Sequence, residues 1–422
     1  MTTGDALRAI AAANRRGEQR GIPSWCTANQ QALRAILDAY RDDDDPVLIE
    51  ATCNQVNQLG GYTGMTPAAF RRFVEGVAKQ ADVDPDRIIF GGDHLGPNPW
   101  RGRPAAEAMP RACEMVKAYV EAGFAKIHLD ASMACAGEAG LAAPTIAERA
   151  AELCAVAEMS AAKGANLTYV VGTEVPVPGG ETEAVDTLAV TRPEDALRTL
   201  ALHRAAFADR GIAGAMERVV ALVVQPGVEF GNAQVFPFDR TKAAALSGVV
   251  AEMPGVVFEA HSTDFQSEAA LGELVASHFA ILKVGPELTY AFREAIVAMA
   301  AIDDRLVGSS RSNVISVLER VMDENDAHWR SYVAKTDNER INRLFGLSDR
   351  VRYYWSDPRV AAALDVLAAN IDGKSIHPGL ISQFAGALMP QSLGAPLSRR
   401  IISSKVDAVV AKYRRACAPA VT

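Results

Sequence analysis

The residues best suited to chemistry stand in Gly91-Gly92-Asp93-His94-Leu95-Gly96-Pro97-Asn98-Pro99-Trp100. A carboxylate beside an imidazole can divide metal-assisted work, with His94 as a neutral ligand and Asp93 free to move protons. The apolar run Ile88-Ile89-Phe90 precedes the pair, so a short buried strand delivers both residues to its C-terminal tip. Other apolar runs also end in polar residues: Glu50, His128 with Asp130, Glu174, Gln225, Glu259 with His261, and Lys283. A divalent ion needs N or O ligands drawn from several strands, plus open positions for a substrate. His94 and His261 meet that need best, and Glu174 or Asp130 can add an oxygen. His128 is the weaker candidate, because it lies inside its strand, short of Asp130.

Eight strands must position these tips: Pro23–Ala28, Val47–Thr52, Arg87–Gly92, Lys126–Asp130, Leu167–Gly172, Val219–Val224, Val256–Glu259 and Phe279–Lys283. Each is short and nearly continuously apolar, and a helical stretch follows it. That pattern suits a parallel sheet covered on both faces. Eight such units closing on themselves make a (β/α)8 TIM barrel over residues 1–302, whose polar strand tips form one rim. Residues 303–422 lack strand alternation and read as a helical C-terminal region packed on the barrel. Within it, Arg350-Val351-Arg352-Tyr353-Tyr354-Trp355 is expected to pack as a helix with its arginines paired, away from the rim.

Composition excludes several classes. A chain of 422 residues that is 49% hydrophobic can bury a large core. A net charge of −8 with a pI near 5.5 argues against nucleic acid or an anionic membrane as partner. No apolar run is long enough to span a bilayer, and the charged N-terminal stretch lacks the apolar segment of a signal peptide. The six cysteines form no Cys-x-x-Cys pair, which suits reduced core thiols and a cytoplasmic protein. No Gly-x-x-x-x-Gly-Lys-Ser/Thr loop supports a kinase, and no Gly-x-Gly-x-x-Gly follows a strand to hold a nicotinamide cofactor.

The strings Ile49–Gln58, Gly60–Pro67, Gly91–Trp100, Lys126–Asp130, Gly172–Gly180, Phe258–Asp264 and Lys283–Pro286 closely resemble the GatZ/KbaZ family. The resemblance runs on through Arg350–Trp355 and Leu380-Ile381-Ser382-Gln383. It implies tagatose phosphate metabolism, either as a non-catalytic subunit stabilising a class II D-tagatose-1,6-bisphosphate aldolase or as a 4-epimerase. The family is similar to class II aldolases, in which an Asp-His pair on strand three supplies the acid/base and a metal ligand. Asp93, His94, Glu174 and His261 fall on matching tips, whereas strand six ends in Gln225, an amide that binds a divalent ion more weakly than imidazole.

The resulting expectation is an isomerase: a metal-dependent 4-epimerase on a phosphorylated ketohexose, D-tagatose 6-phosphate, working by retro-aldol cleavage and recondensation. Asp93 and Glu174 would carry protons on opposite faces of C4, and His94, His261 and Glu174 would hold Zn²⁺ or Mn²⁺. Glu50, Asn54, Asp130 and Gln225 are expected to contact the sugar. Its phosphate would sit after strands seven and eight, on Ser262, Thr263, Lys283 and the amides near Gly285. An aldolase subunit and further copies of the chain are the expected protein partners.

Overall fold

The structure, a computed structural model, describes residues 3–173, 188–306, 311–333, 338–386 and 394–418. Its centre is a closed barrel of eight parallel strands: β1 (Ile22–Cys26), β2 (Val47–Thr52), β3 (Ile88–Leu95), β4 (Lys126–Leu129), β5 (Thr168–Val171), β6 (Val219–Val223), β7 (Val257–Ala260) and β8 (Phe279–Val284). Each strand pairs with its sequence neighbours, and β8 returns to β1 in a register running from Ile22 opposite Ile281 to Trp25 opposite Val284. The fold is the TIM barrel that the repeating strand–helix pattern calls for.

Several helices begin where side chains can satisfy their first amides. Asn29 accepts hydrogen bonds from the amides of Gln31 and Ala32 ahead of Gln30–Asp38, and Thr66 accepts from Ala69 ahead of Pro67–Ala81. Their apolar faces, including Leu33, Ile36, Phe70 and Val74, close over the strands as a continuous core.

β3 departs from expectation in a way that matters for the site. It does not stop at Gly92 but continues to Leu95, with a register break against β4 between Gly92 and Leu95. His94 sits within that break in the left-handed region, at φ 51°. Consecutive strand residues ordinarily point to opposite faces. The bulge removes that alternation, so Asp93 and His94 both enter the barrel interior. Two glycines make room around it. A Cβ on Gly91 would lie 2.6 Å from Glu50 Oε1, and one on Gly96 would lie 1.6 Å from the Asp130 carbonyl oxygen.

After β8 the described residues are mainly helical. The long helix Pro286–Leu306 spans the 302/303 division expected from the sequence, and further helices follow at Val314–Glu324, Glu339–Phe345, Pro358–Asp372, Pro378–Ala385 and Leu397–Cys417. The helix Leu397–Cys417 packs against β1 and three barrel helices. Tyr413 donates a hydrogen bond to the Thr263 carbonyl at 2.7 Å, and its ring meets Trp25 edge-on at 5.7 Å.

On the same helix, burial raises the Asp407 carboxyl to about 7, and the nearby Asp38 carboxylate adds to the rise. The folded-state value lies above the unfolded one, so the stability Asp407 contributes when protonated is lost as pH rises towards about 7. Asp407→Asn should therefore raise the melting temperature at neutral pH. Thermal melts should show the gain growing from about pH 4 and levelling above about pH 7. A gain independent of pH would contradict this account.

Candidate active site

Three histidines meet in the upper barrel. The ring centres of His94 and His128 are 5.1 Å apart, those of His94 and His261 4.9 Å, and those of His128 and His261 5.3 Å. Each has a carboxylate behind it: His94 Nδ1 lies 2.7 Å from Asp130, His128 Nδ1 2.8 Å from Asp93, and His261 Nε2 3.0 Å from Glu259. An ionised carboxylate only accepts, so His94 Nδ1 and His261 Nε2 carry the proton, whereas His128 Nδ1 faces both Asp93 and the His94 amide, the latter at 3.2 Å. The opposite nitrogens of His94 and His261 then present lone pairs, and His128 Nε2 and His261 Nδ1 are buried without a hydrogen-bond partner. A carboxylate that orients an imidazole in this way is the usual backing of a metal-binding histidine.

Deeper in the barrel lies a ladder of charge. Lys126 Nζ sits 2.5 Å from Glu50 and 2.8 Å from Glu259, while Lys283 Nζ sits 2.7 Å from Glu50 and 2.5 Å from Asp93. All five of these side chains and the three histidines are buried. Burial opposes ionisation of Asp93, yet His94, Lys283 and His128 hold its pKa well below the usual carboxylate value. Glu50 is likewise held low by Lys126 and Lys283 against the effect of burial. Burial pulls the His261 imidazole down to about 4, which keeps it neutral and able to ligate.

Four carboxylates (Glu50, Asp93, Asp130, Glu259) thus face two ammonium groups, an excess of two negative charges when the imidazoles are neutral. A divalent cation matches both the excess and the donor set. Asp93, His128, Glu259 and His261 offer ligand atoms within 4.8 Å of one another. Asp93 and Glu259 are also bonded behind their histidines, and His94 stands beside this group with its Nε2 3.5 Å from Asp93 Oδ2.

Asp93, His94, His261 and Lys283 of this cluster line a cavity of about 460 Å³ at the C-terminal ends of the strands. Of the residues expected from the sequence, Asn54, Asp93, His94, His261, Ser262, Lys283 and Gly285 line it. The others have different duties. Glu50 and Asp130 are bound into the buried networks, and Thr263 Oγ1 donates to the Lys283 carbonyl. The Gln225 side chain folds back to accept from the amides of Gly227 and Val228, so we withdraw it as a sugar contact. Glu174 and the Val175–Gly180 loop lie outside the described residues.

Two readings change. His128, ranked below His94 and His261, belongs to the central triangle, because it shares an interior face with Lys126 and Asp130 at alternate positions. The expected phosphate site is also corrected. Asp264 accepts from the amides of Gly285 at 3.0 Å and Glu287 at 2.8 Å, which puts a carboxylate where the phosphate was placed. Burial and Glu287 push the Asp264 carboxyl up to about 6. Three further cavity residues escaped the sequence: Arg352, Tyr353 and Trp355, from the stretch expected to pack away from the rim. Of the remaining histidines, His328 stacks on Tyr353 with ring centres 4.6 Å apart, while His203 hydrogen-bonds the Thr199 carbonyl within its own helix.

Residues 7–418 match the family described as D-tagatose-1,6-bisphosphate aldolase subunit GatZ/KbaZ-like. The chain belongs to this family. D-tagatose-1,6-bisphosphate aldolase subunit GatZ of Salmonella newport (strain SL254) is 46% identical over 421 residues, covering 98% of this chain and 99% of that protein. Its counterpart from Salmonella typhimurium is 45% identical over the same length. Among solved structures, one described as a probable tagatose 6 phosphate kinase from Sinorhizobium meliloti 1021 is 48% identical. It superposes with a TM-score of 0.86 and covers 94% of this chain and 100% of that one.

These findings correct the expected isomerase. GatZ/KbaZ relatives carry the name of an aldolase subunit, which points to carbon–carbon bond lysis rather than epimerisation. The geometry makes a separate prediction about the metal. Protein dialysed against Zn²⁺ should retain an ion that His128→Ala and His261→Ala each lose in elemental analysis. Full metal content in both variants would refute the histidine triangle.

Proposed function

We propose that this GatZ/KbaZ-like chain is an aldolase subunit with a working carbon–carbon lyase site of its own, acting on a phosphorylated ketohexose such as D-tagatose 1,6-bisphosphate. The observation that carries the reading is the triangle of carboxylate-backed imidazoles, of which His94 and His261 line the cavity beside Asp93 while His128 lies buried behind them. A barrel held together by packing alone has no use for two buried imidazole nitrogens without partners. Zn²⁺ or Mn²⁺ at His94, His128 and His261 would act as a Lewis acid that polarises the ketose carbonyl.

The chain's own residues supply the rest. Asp93, ionised and lining the cavity, accepts the C4 hydroxyl proton as C3–C4 breaks. The bonding pair passes toward C2 as an enediolate, which takes a proton at C3 to leave the ketone fragment. Lys283, bonded to both Glu50 and Asp93, is an ammonium whose pKa is raised by these carboxylates against burial. A lysine held charged is no Schiff-base nucleophile, so the covalent route to aldol cleavage is disfavoured.

The same contact favours a second reading. With Lys283 paired to Asp93 and Gln225 turned away, the site can be a remnant in a subunit that stabilises a catalytic aldolase partner. Assays of the purified chain with D-tagatose 1,6-bisphosphate separate the two. We expect cleavage by the chain alone, abolished by a chelator and restored by Zn²⁺ or Mn²⁺. Asp93→Asn should lower turnover by about two to four orders of magnitude. A chain inert on its own that raises or prolongs the activity of a class II aldolase subunit would establish the stabilising role instead.

A further inference from the structure

A phosphorylated substrate brings a dianion into the cavity, and the cations available to meet it are few. Among the described residues that line it, Lys283 and Arg352 are the basic side chains other than histidine. Lys283 is committed to Glu50 and Asp93. The amides at the start of Pro286–Leu306 are committed to Asp264. That leaves Arg352.

The Arg352 guanidinium is fixed but not neutralised. Its Nη1 donates to the carbonyls of Ser348 and Asp349, the latter at 2.9 Å, and its Nη2 donates to the Tyr353 hydroxyl at 3.1 Å. Among the described residues no carboxylate lies within ion-pair distance of it. Asp349, the nearest in sequence, is paired with Arg293 at 3.0 Å. Arg350 stands behind in the same condition: it is 5% exposed, donates Nε to the His328 carbonyl at 2.6 Å, and has a buried Nη1 with no partner. Both guanidinium groups lie 4.6 Å from the centre of the Tyr353 ring. Tyr62, also lining the cavity, packs edge-on to Tyr353 at 4.6 Å. A buried arginine beside a half-buried one, neither meeting a carboxylate, is a costly pair unless an anion completes it. Their field is visible on Tyr353, whose phenol they hold below its ordinary pKa although burial alone would raise it.

We propose that Arg352, flanked by the Tyr62 and Tyr353 phenols and backed by Arg350, is the subsite for a phosphoryl group of the substrate. The donors left on Arg352, Nε and one Nη2 hydrogen, can meet two oxygens of a phosphomonoester. The wall formed by Tyr62, Tyr353 and His328 fixes where those donors point. The proposal rests on the sugar-phosphate reading above, but its test needs no turnover.

Binding of inorganic phosphate to chelator-treated protein should weaken at least about tenfold in Arg352→Gln. Arg415→Gln, an exposed residue paired with Glu268, should bind as wild type. Because Arg352 also holds the Ser348–Asp349 turn, a measurement on the unaltered chain removes any doubt about folding. Phosphate should protect Arg352 from phenylglyoxal, read by peptide mass mapping, while acetate at equal concentration should not. Equal modification with and without phosphate, or equal protection by acetate, would overturn the subsite. Protection in a chain that cleaves no ketose phosphate would leave the subsite standing and remove the lyase.

Discussion

The structure is organised around a charge imbalance inside a hydrocarbon barrel. Glu50, Asp93, Asp130 and Glu259 are buried among apolar strands, and Lys126 and Lys283 cancel only half of their charge. Each ion taken from water costs several kcal/mol even after relaxation, and good geometry must recover it. The ladder recovers it through short contacts, each carboxylate meeting a lysine or an imidazole. Losing one member of such a set typically costs about 3–5 kcal/mol, because its partner stays buried and unpaired. The imbalance is therefore not a flaw in packing. It makes the upper barrel a receptor for positive charge, while the lysines below keep the carboxylates ionised.

Backbone strain sits at the same level. His94, Ser262 and Phe265 all have positive φ, at 51°, 53° and 64°. None is glycine, so each costs roughly 1–2 kcal/mol relative to an ordinary conformation. At His94 this strain turns two consecutive residues inward. At Ser262 it follows His261 directly and leads the chain toward Asp264, whose carboxylate caps the helix after β8. Strain in both histidine-bearing loops fits a rim in which position has been favoured over local comfort.

Much of this was legible beforehand, and the failures have physical causes. The eight strands could be read because a strand buried on both faces is apolar throughout, and Asp93, His94 and His261 stood out as polar residues at the ends of such runs. Lys126 and His128 carried a signal that was underused: with Asp130 they alternate, so all three share one face. The bulge at His94 left no mark in the residue types. The roles of Asp264, Arg352 and Tyr353 depend on contacts across the rim, and local pattern cannot say which end of a barrel a distant segment will cover. Asp264 occupies the amides expected to meet a phosphate, and Arg350 and Arg352 bring positive charge to the cavity from a segment far along the chain.

The Tyr413 hydroxyl that reaches the carbonyl of Thr263 lies 150 residues further along the chain. A ribosome adds about 5–20 residues per second, so this contact trails its loop by roughly 8–30 s. Through that interval the segment next to His261 and Ser262 is without its outer support. The helix Leu397–Cys417 thus acts as a late fastening on a rim whose other parts are already made. Until it docks, the nascent barrel presents an unfinished face around Trp25 and Thr263, the surface where chaperones or other nascent chains would first find it.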